Sequence, residues 1–152
     1  PEALPDSRKA DIKETFDCEI NFSTYEAEDL RYNNQEFDLI LSVNSYHAYS
    51  LKYNFFEEAD RLLEHNGYLL ILDWNKEGWF KYLNKIMNIF TDEDLKPESQ
   101  KEIIQRANKR WFSTISNNTW RWRWWNFYTL LLQKYDDNFL NATDIPDEAK
   151  DQ

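Results

Sequence analysis

Two apolar runs constrain this chain more than any other feature. Phe37-Asp38-Leu39-Ile40-Leu41-Ser42-Val43 and Tyr68-Leu69-Leu70-Ile71-Leu72-Asp73 are near-continuous rather than alternating. That is the pattern of strands covered on both faces. Between them, over 51–65, Phe55, Ala59, Leu62 and Leu63 recur at helical spacing, with charges on the other side. Asn66-Gly67 follows and predicts a helix stop, with Gly67 in the left-handed C′ conformation. A strand, a helix and a second strand of this kind predict a parallel pair joined by a crossover.

The flanks extend the order. Residues 1–15 are polar and helix-compatible, with a thin stripe of Ala3, Leu4, Ala10 and Ile12. Residues 19–24 alternate, with Ile20 and Phe22 on one face, which predicts a short half-buried strand. Trp79, Phe80, Leu83, Ile86, Met87 and Phe90 form a helical stripe across 76–90. Pro97 suits the first turn of a further helix at 97–109, whose apolar residues are Ile103, Ile104 and Ala107. Residues 111–116 and 119–134 turn β-like, with 127–133 as a core strand. The expected order is β-β-α-β-α-α-β-β. It describes an α/β domain over 1–135, with parallel central strands and an antiparallel C-terminal pair, followed by an acidic tail at 136–152.

Composition narrows the function. The chain holds only two glycines, Gly67 and Gly78, where ordinary usage gives roughly ten in this length. No Gly-rich phosphate or nucleotide loop exists in it. With 28 acidic against 18 basic residues the net charge is −10, so a nucleic acid backbone is repelled on average. Cys18 stands alone and offers neither a disulfide nor a thiolate metal site. No apolar run is long enough to span a membrane, and no signal peptide is visible. A cytoplasmic or organelle-matrix location is expected.

Trp120, Trp122 and Trp124 alternate with Arg121 and Arg123. Interleaved aromatics and arginines suit base stacking. A period of two equally suits a strand with Trp on one face and Arg on the other, packing through cation–π contacts. Trp and Arg also anchor protein interfaces. The acidic surface argues against nucleic acid. In the loop after the first apolar run, His47 has the side chain suited to general base work near neutral pH, or it packs as an ordinary loop residue. Tyr46 and Tyr49 either line a substrate pocket or simply pack. Asp73-Trp74 ends a strand, where α/β sites form. Asp73 or Asn75 is equally suited to cap the next helix.

Several stretches together resemble the second half of the class I S-adenosylmethionine-dependent methyltransferase fold. Tyr25-Glu26-Ala27-Glu28-Asp29-Leu30 is similar to the acidic segment after its third strand. Phe37-Asp38-Leu39-Ile40-Leu41-Ser42-Val43-Asn44 resembles the fourth strand. Glu58-Ala59-Asp60-Arg61-Leu62-Leu63 with Asn66-Gly67-Tyr68-Leu69-Leu70-Ile71 resembles the helix, turn and fifth strand. Phe112 to Lys134 resembles the closing strand pair. The likeness covers most of residues 3–134 and implies a partial Rossmann-like methyltransferase sheet.

The resemblance also assigns roles. Glu26 matches the acid that reads the adenine edge, and Ala27 the adjacent backbone contact. Asn44 and Ser45, with Tyr46 and His47 beyond them, match the wall on the methyl-transfer side. The implied cofactor is S-adenosylmethionine, with no metal, and His47 and Tyr46 are the catalytic candidates. The Gly-rich turn and the ribose-binding acid have no counterpart here, and the missing unit needs ~30 residues or more. The resemblance therefore implies methyl transfer to a small-molecule acceptor within a larger or split enzyme, whose missing half a protein partner supplies. The alternative is a non-catalytic methyltransferase-like scaffold subunit.

Overall fold

The computed structural model describes residues 5–16, 19–75, 98–123 and 125–135. Helix α1 spans Asp6–Thr15. Strand β1, Phe37–Val43, is followed by a 3-10 turn at Tyr46–Ala48 and by helix α2, Lys52–Leu62. Strand β2 is Leu63–Trp74. Helix α3, Gln100–Asn108, leads into β3, Phe112–Trp122, and β4, Trp125–Lys134. The sheet order is β1-β2-β4-β3. β1 and β2 run parallel, with Leu39 opposite Tyr68 and Val43 opposite Leu72. β4 runs antiparallel to both β2 and β3.

Pleat alternation decides which residues reach the core. On β2, Leu63, Leu69, Ile71 and Asp73 are buried, and on β4 Tyr128, Leu130 and Leu132 join them. Against this face α2 sets Phe55, Phe56 and Ala59, and α3 sets Ile103 and Ala107, closing one cluster with Phe112. Ser99 caps α3 in a reciprocal capping box with Glu102. At the C-terminal end of α2, Lys134 Nζ donates to the Asp60 carbonyl at 2.6 Å and the Leu63 carbonyl at 3.1 Å, satisfying carbonyls the helix leaves open.

The structure departs from the sequence expectations in four places. Residues 19–24 form no strand, and Phe22 is exposed. A strand needs a ladder partner, and the described residues hold none for it. β1 is the edge strand of the described sheet, and it is covered on one face rather than both: Leu39, Leu41 and Val43 are about half exposed because no described element packs over them. α2 stops at Leu62, and the left-handed residue is Asn66 (φ 62°), inside β2. Gly67 serves close approach instead, because a Cβ there would lie 3.0 Å from the Glu64 carbonyl oxygen and 3.3 Å from that of Asp38. The Trp/Arg run is not one strand either. Trp122 pairs with Trp125 across a hairpin turn through Arg123, whose φ is 53°. Trp120 stacks on Phe127 at 4.6 Å, and Arg123 lies over the Trp122 ring. The helix expected at 76–90, Pro97, Cys18 and the tail lie outside the described residues.

Candidate functional site

Beyond the C-terminal end of β1 the chain builds a cleft between the loop that follows it, the start of α2 and the turn at 25–29. Its volume is about 780 Å³, and its lining includes Tyr25, Glu26, Ala27, Ser45 and Tyr49. Three of the four residues expected to hold a cofactor, Glu26, Ala27 and Ser45, therefore share one space. Asn44 is exposed just outside this lining. Its left-handed backbone (φ 52°) turns the chain away from the strand, while its N–H still bonds the Leu72 carbonyl at 2.7 Å. Asparagine tolerates that conformation better than most residues. The inner wall is polar: Ser42, Ser45 and Tyr49 hydroxyls lie 3.0–3.2 Å from one another.

The turn carrying Glu26 and Ala27 closes through Asp29 N–H on the Glu26 carbonyl at 3.1 Å. Two anchors fasten it to α2. Glu28 accepts the Leu51 N–H at 3.0 Å at the start of the helix. Arg61, near its end, spreads its guanidinium over the Leu30 and Tyr32 carbonyls, both at 2.8 Å, and the Asn34 side chain at 2.9 Å. Glu58 orients Arg61 through two bonds of 2.9 and 2.8 Å and accepts the Leu30 N–H. The hydrogen bonds from Arg61 hold the Glu58 carboxyl below its ordinary range, against some opposition from burial. The same pairing raises Arg61, although burial works against it. Sequence reasoning gave neither residue a role. The one available signal was the Glu-x-x-Arg spacing, which puts both on one face of α2.

On the methyl-transfer side expected for His47, the structure brings two separate features of the sequence together. His47 Nδ1 lies 2.8 Å from Asp73 Oδ1, and the His47 backbone N–H donates to Asp73 Oδ2 at 2.8 Å. Asp73 also accepts the Trp74 N–H on Oδ1 at 2.7 Å, and its side chain is 1% exposed. The Trp74 ring stacks on the imidazole at 4.7 Å and 10°. Among the described residues nothing bonds His47 Nε2. Tyr128 is buried nearby, and burial first, then the charge of Asp73, holds its phenol well above its ordinary pKa. Tyr46, the other catalytic candidate, is in the core. Its hydroxyl donates to Glu98 at 3.0 Å, and Arg106 pairs with the same carboxylate. Burial leads in raising its pKa strongly. Its place is under the site.

Residues 1–135 match the family model described as a methyltransferase domain. The chain belongs to that family. No curated protein matches it. Among solved structures, this methyltransferase domain superposes on a chain in the complex of the Haloferax volcanii Trm112 methyltransferase activator. The TM-score is 0.70 at 12% identity, covering 84% of this chain and 67% of the other. It superposes on the [4+2]-cyclase SpnF at TM-score 0.66 and 12% identity, covering 85% and 61%. The Burkholderia thailandensis 1,6-didemethyltoxoflavin-N1-methyltransferase, solved with bound 1,6-didemethyltoxoflavin and S-adenosylhomocysteine, gives 0.65 and 11%, covering 84% and 56%. At these identities the likeness is one of fold, and a fold hosts more than one chemistry. The chain spans about three-fifths of the length of the last two. Among the described residues no helix is long and apolar enough to cross a membrane, and no His, Cys, Asp or Glu cluster could hold a metal ion.

Proposed function

We propose that this chain is the adenosine-side part of an S-adenosylmethionine-dependent methyltransferase acting on a small-molecule acceptor. The observation that carries the reading is the cleft shared by Glu26, Ala27 and Ser45 beyond the C-terminal tip of β1, a strand parallel to β2. Open α/β sheets bind ligands at that end. The donor set suits the cofactor. Glu26 offers a carboxylate to the adenine amino group, and Ala27 a backbone N–H to the ring edge. Ser45 and Tyr49 supply hydroxyls to the polar wall. When bound, the cofactor supplies a methyl group already activated on a sulfonium. The protein's own contribution is alignment and, at His47, acceptance of the proton an acceptor gives up. Arg61 and Glu28 keep the adenine-side turn in place.

The exposed outer side chains Leu39, Leu41 and Val43 on edge strand β1 support completion of the sheet by further polypeptide. That surface equally suits the second reading, a non-catalytic scaffold subunit, for which the exposed Trp120 and Trp122 add an anchor. Isothermal titration with S-adenosylmethionine separates them. The enzyme reading expects saturable heat, weakened by about tenfold or ~1.4 kcal/mol in Glu26→Ala, with an unchanged melting curve. No heat up to millimolar cofactor, together with a stable complex with a protein partner in light scattering, selects the scaffold.

A further inference from the structure

We propose that Asp73 is a positioning residue that fixes His47 in the tautomer protonated on Nδ1, so that Nε2 is the atom offered to an acceptor. The use of that nitrogen in methyl transfer rests on the function proposed above; the tautomer itself does not.

Three nitrogens converge on one buried carboxylate: the backbone N–H of His47 on Oδ2, and the Trp74 N–H and the His47 ring nitrogen Nδ1 on Oδ1. The two backbone donors cannot change role, and a carboxylate flanked by them presents only lone pairs. The ring nitrogen facing it must therefore donate, and the neutral imidazole keeps its lone pair on Nε2. The ring also cannot turn over freely. Trp74 covers one face at 4.7 Å, and the backbone of the same residue is tied to the same carboxylate. One acid thus sets the tautomer, ring plane and loop position together, as supporting carboxylates do for other histidines that accept protons.

The arrangement also narrows the acceptor. A base with a fixed lone pair is useful only to a nucleophile that has a proton to lose: a hydroxyl, a thiol, or a neutral amine that bears an N–H and attacks through its lone pair. When bound, the cofactor would supply the methyl group and keep the electron pair of the broken carbon–sulfur bond, while the acceptor's own lone pair would form the new bond to carbon. The nucleophile's proton passes to Nε2, and the imidazolium remains paired with Asp73 until it releases that proton to water. A thioether acceptor has no proton to lose and gains nothing from His47.

The test is ¹⁵N-histidine NMR of the whole chain at a pH where the rings are neutral. The sequence holds two histidines, so His65→Gln identifies which signals belong to His47. The wild-type His47 ring is expected to show a protonated Nδ1 and an unprotonated Nε2. In Asp73→Ala, Nδ1–H occupancy is expected to fall to a minority as the ring reverts to the Nε2–H form that free imidazole side chains favour. An Nε2–H ring in the wild type overturns the proposal, as does an unchanged tautomer in folded Asp73→Ala. If Asp73→Ala does not fold, Asp73→Asn is read instead. It leaves one oxygen for three donors, and an Nδ1–H signal undiminished there overturns the proposal. The spectrum needs no cofactor. A failed titration with S-adenosylmethionine and a failed tautomer prediction are therefore separate results.

Discussion

Arg61→Ala tests how the adenine-side turn is held. The guanidinium makes five hydrogen bonds: two to Glu58, one to each of the Leu30 and Tyr32 carbonyls, and one to Asn34. The two to backbone carbonyls matter most, because they tie a loop without regular structure to a helix. Charge-assisted bonds contribute about 1.5–3 kcal/mol each when buried. The Arg61 side chain is 31% exposed, and water replaces part of what is lost, so the sum is reduced by roughly half, to about 2 kcal/mol. With a urea slope of about 2 kcal/mol/M, the unfolding midpoint should fall by about 1 M. Amide exchange should accelerate at 27–32 and stay unchanged in β2 and β4. Arg61→Lys keeps the charge but not the fork, and should recover less than half of the loss. A variant within about 0.5 kcal/mol of wild type, with the loop amides still protected, would refute the reasoning.

Four further outcomes follow from the packing and the charges. Phe56→Ala empties a fully buried site at the centre of the core and should cost about 3–5 kcal/mol in urea unfolding. Gly67→Ala should destabilise by about 1–3 kcal/mol, because two of the three atoms its Cβ meets are backbone carbonyl oxygens that cannot turn aside. Ser99→Ala removes one half of the α3 capping box and should cost about 1 kcal/mol, read as a lower melting temperature. Glu58 has a lowered folded pKa, so its contribution is present above the ordinary carboxylate range and lost as pH falls through the folded value. Acid titration of stability should accordingly be shallower in Glu58→Gln below the ordinary carboxylate range.

Much of the architecture was legible because burial writes itself into sequence period. The runs at 37–43 and 68–73 could only be strands of a sheet with a helix between them, and their parallel pairing followed. The hairpin was legible as β structure, but its turn was not. Arg123, where the chain turns, is no Gly, Asn or Asp, and the alternation of Trp and Arg over 120–124 gives no sign of a break there. Residues 19–24 misled for the opposite reason. Their alternation is real, but alternation forms a strand only where another strand offers its backbone. In the site, Glu26, Ala27 and Ser45 were found through a resemblance that orders segments along the chain. Arg61 was not found, since an arginine on a polar helix face looks like surface charge until a loop folds over it. The pairing of His47 with Asp73 joins residues 26 apart in sequence. Each was noticed alone, and only the parallel register of β1 and β2 brings the loop after one to the end of the other.

The central claim is that a ligand sits beyond the tip of β1, against the turn that carries Glu26. Titrating ¹⁵N-labelled chain with S-adenosylhomocysteine and following amide shifts tests this residue by residue. The account predicts saturable shifts concentrated at Glu26, Ala27, Ser45 and Tyr49, with the β3–β4 hairpin unmoved. Shifts confined to the hairpin or to the outer edge of β1, or none at millimolar ligand, would contradict it.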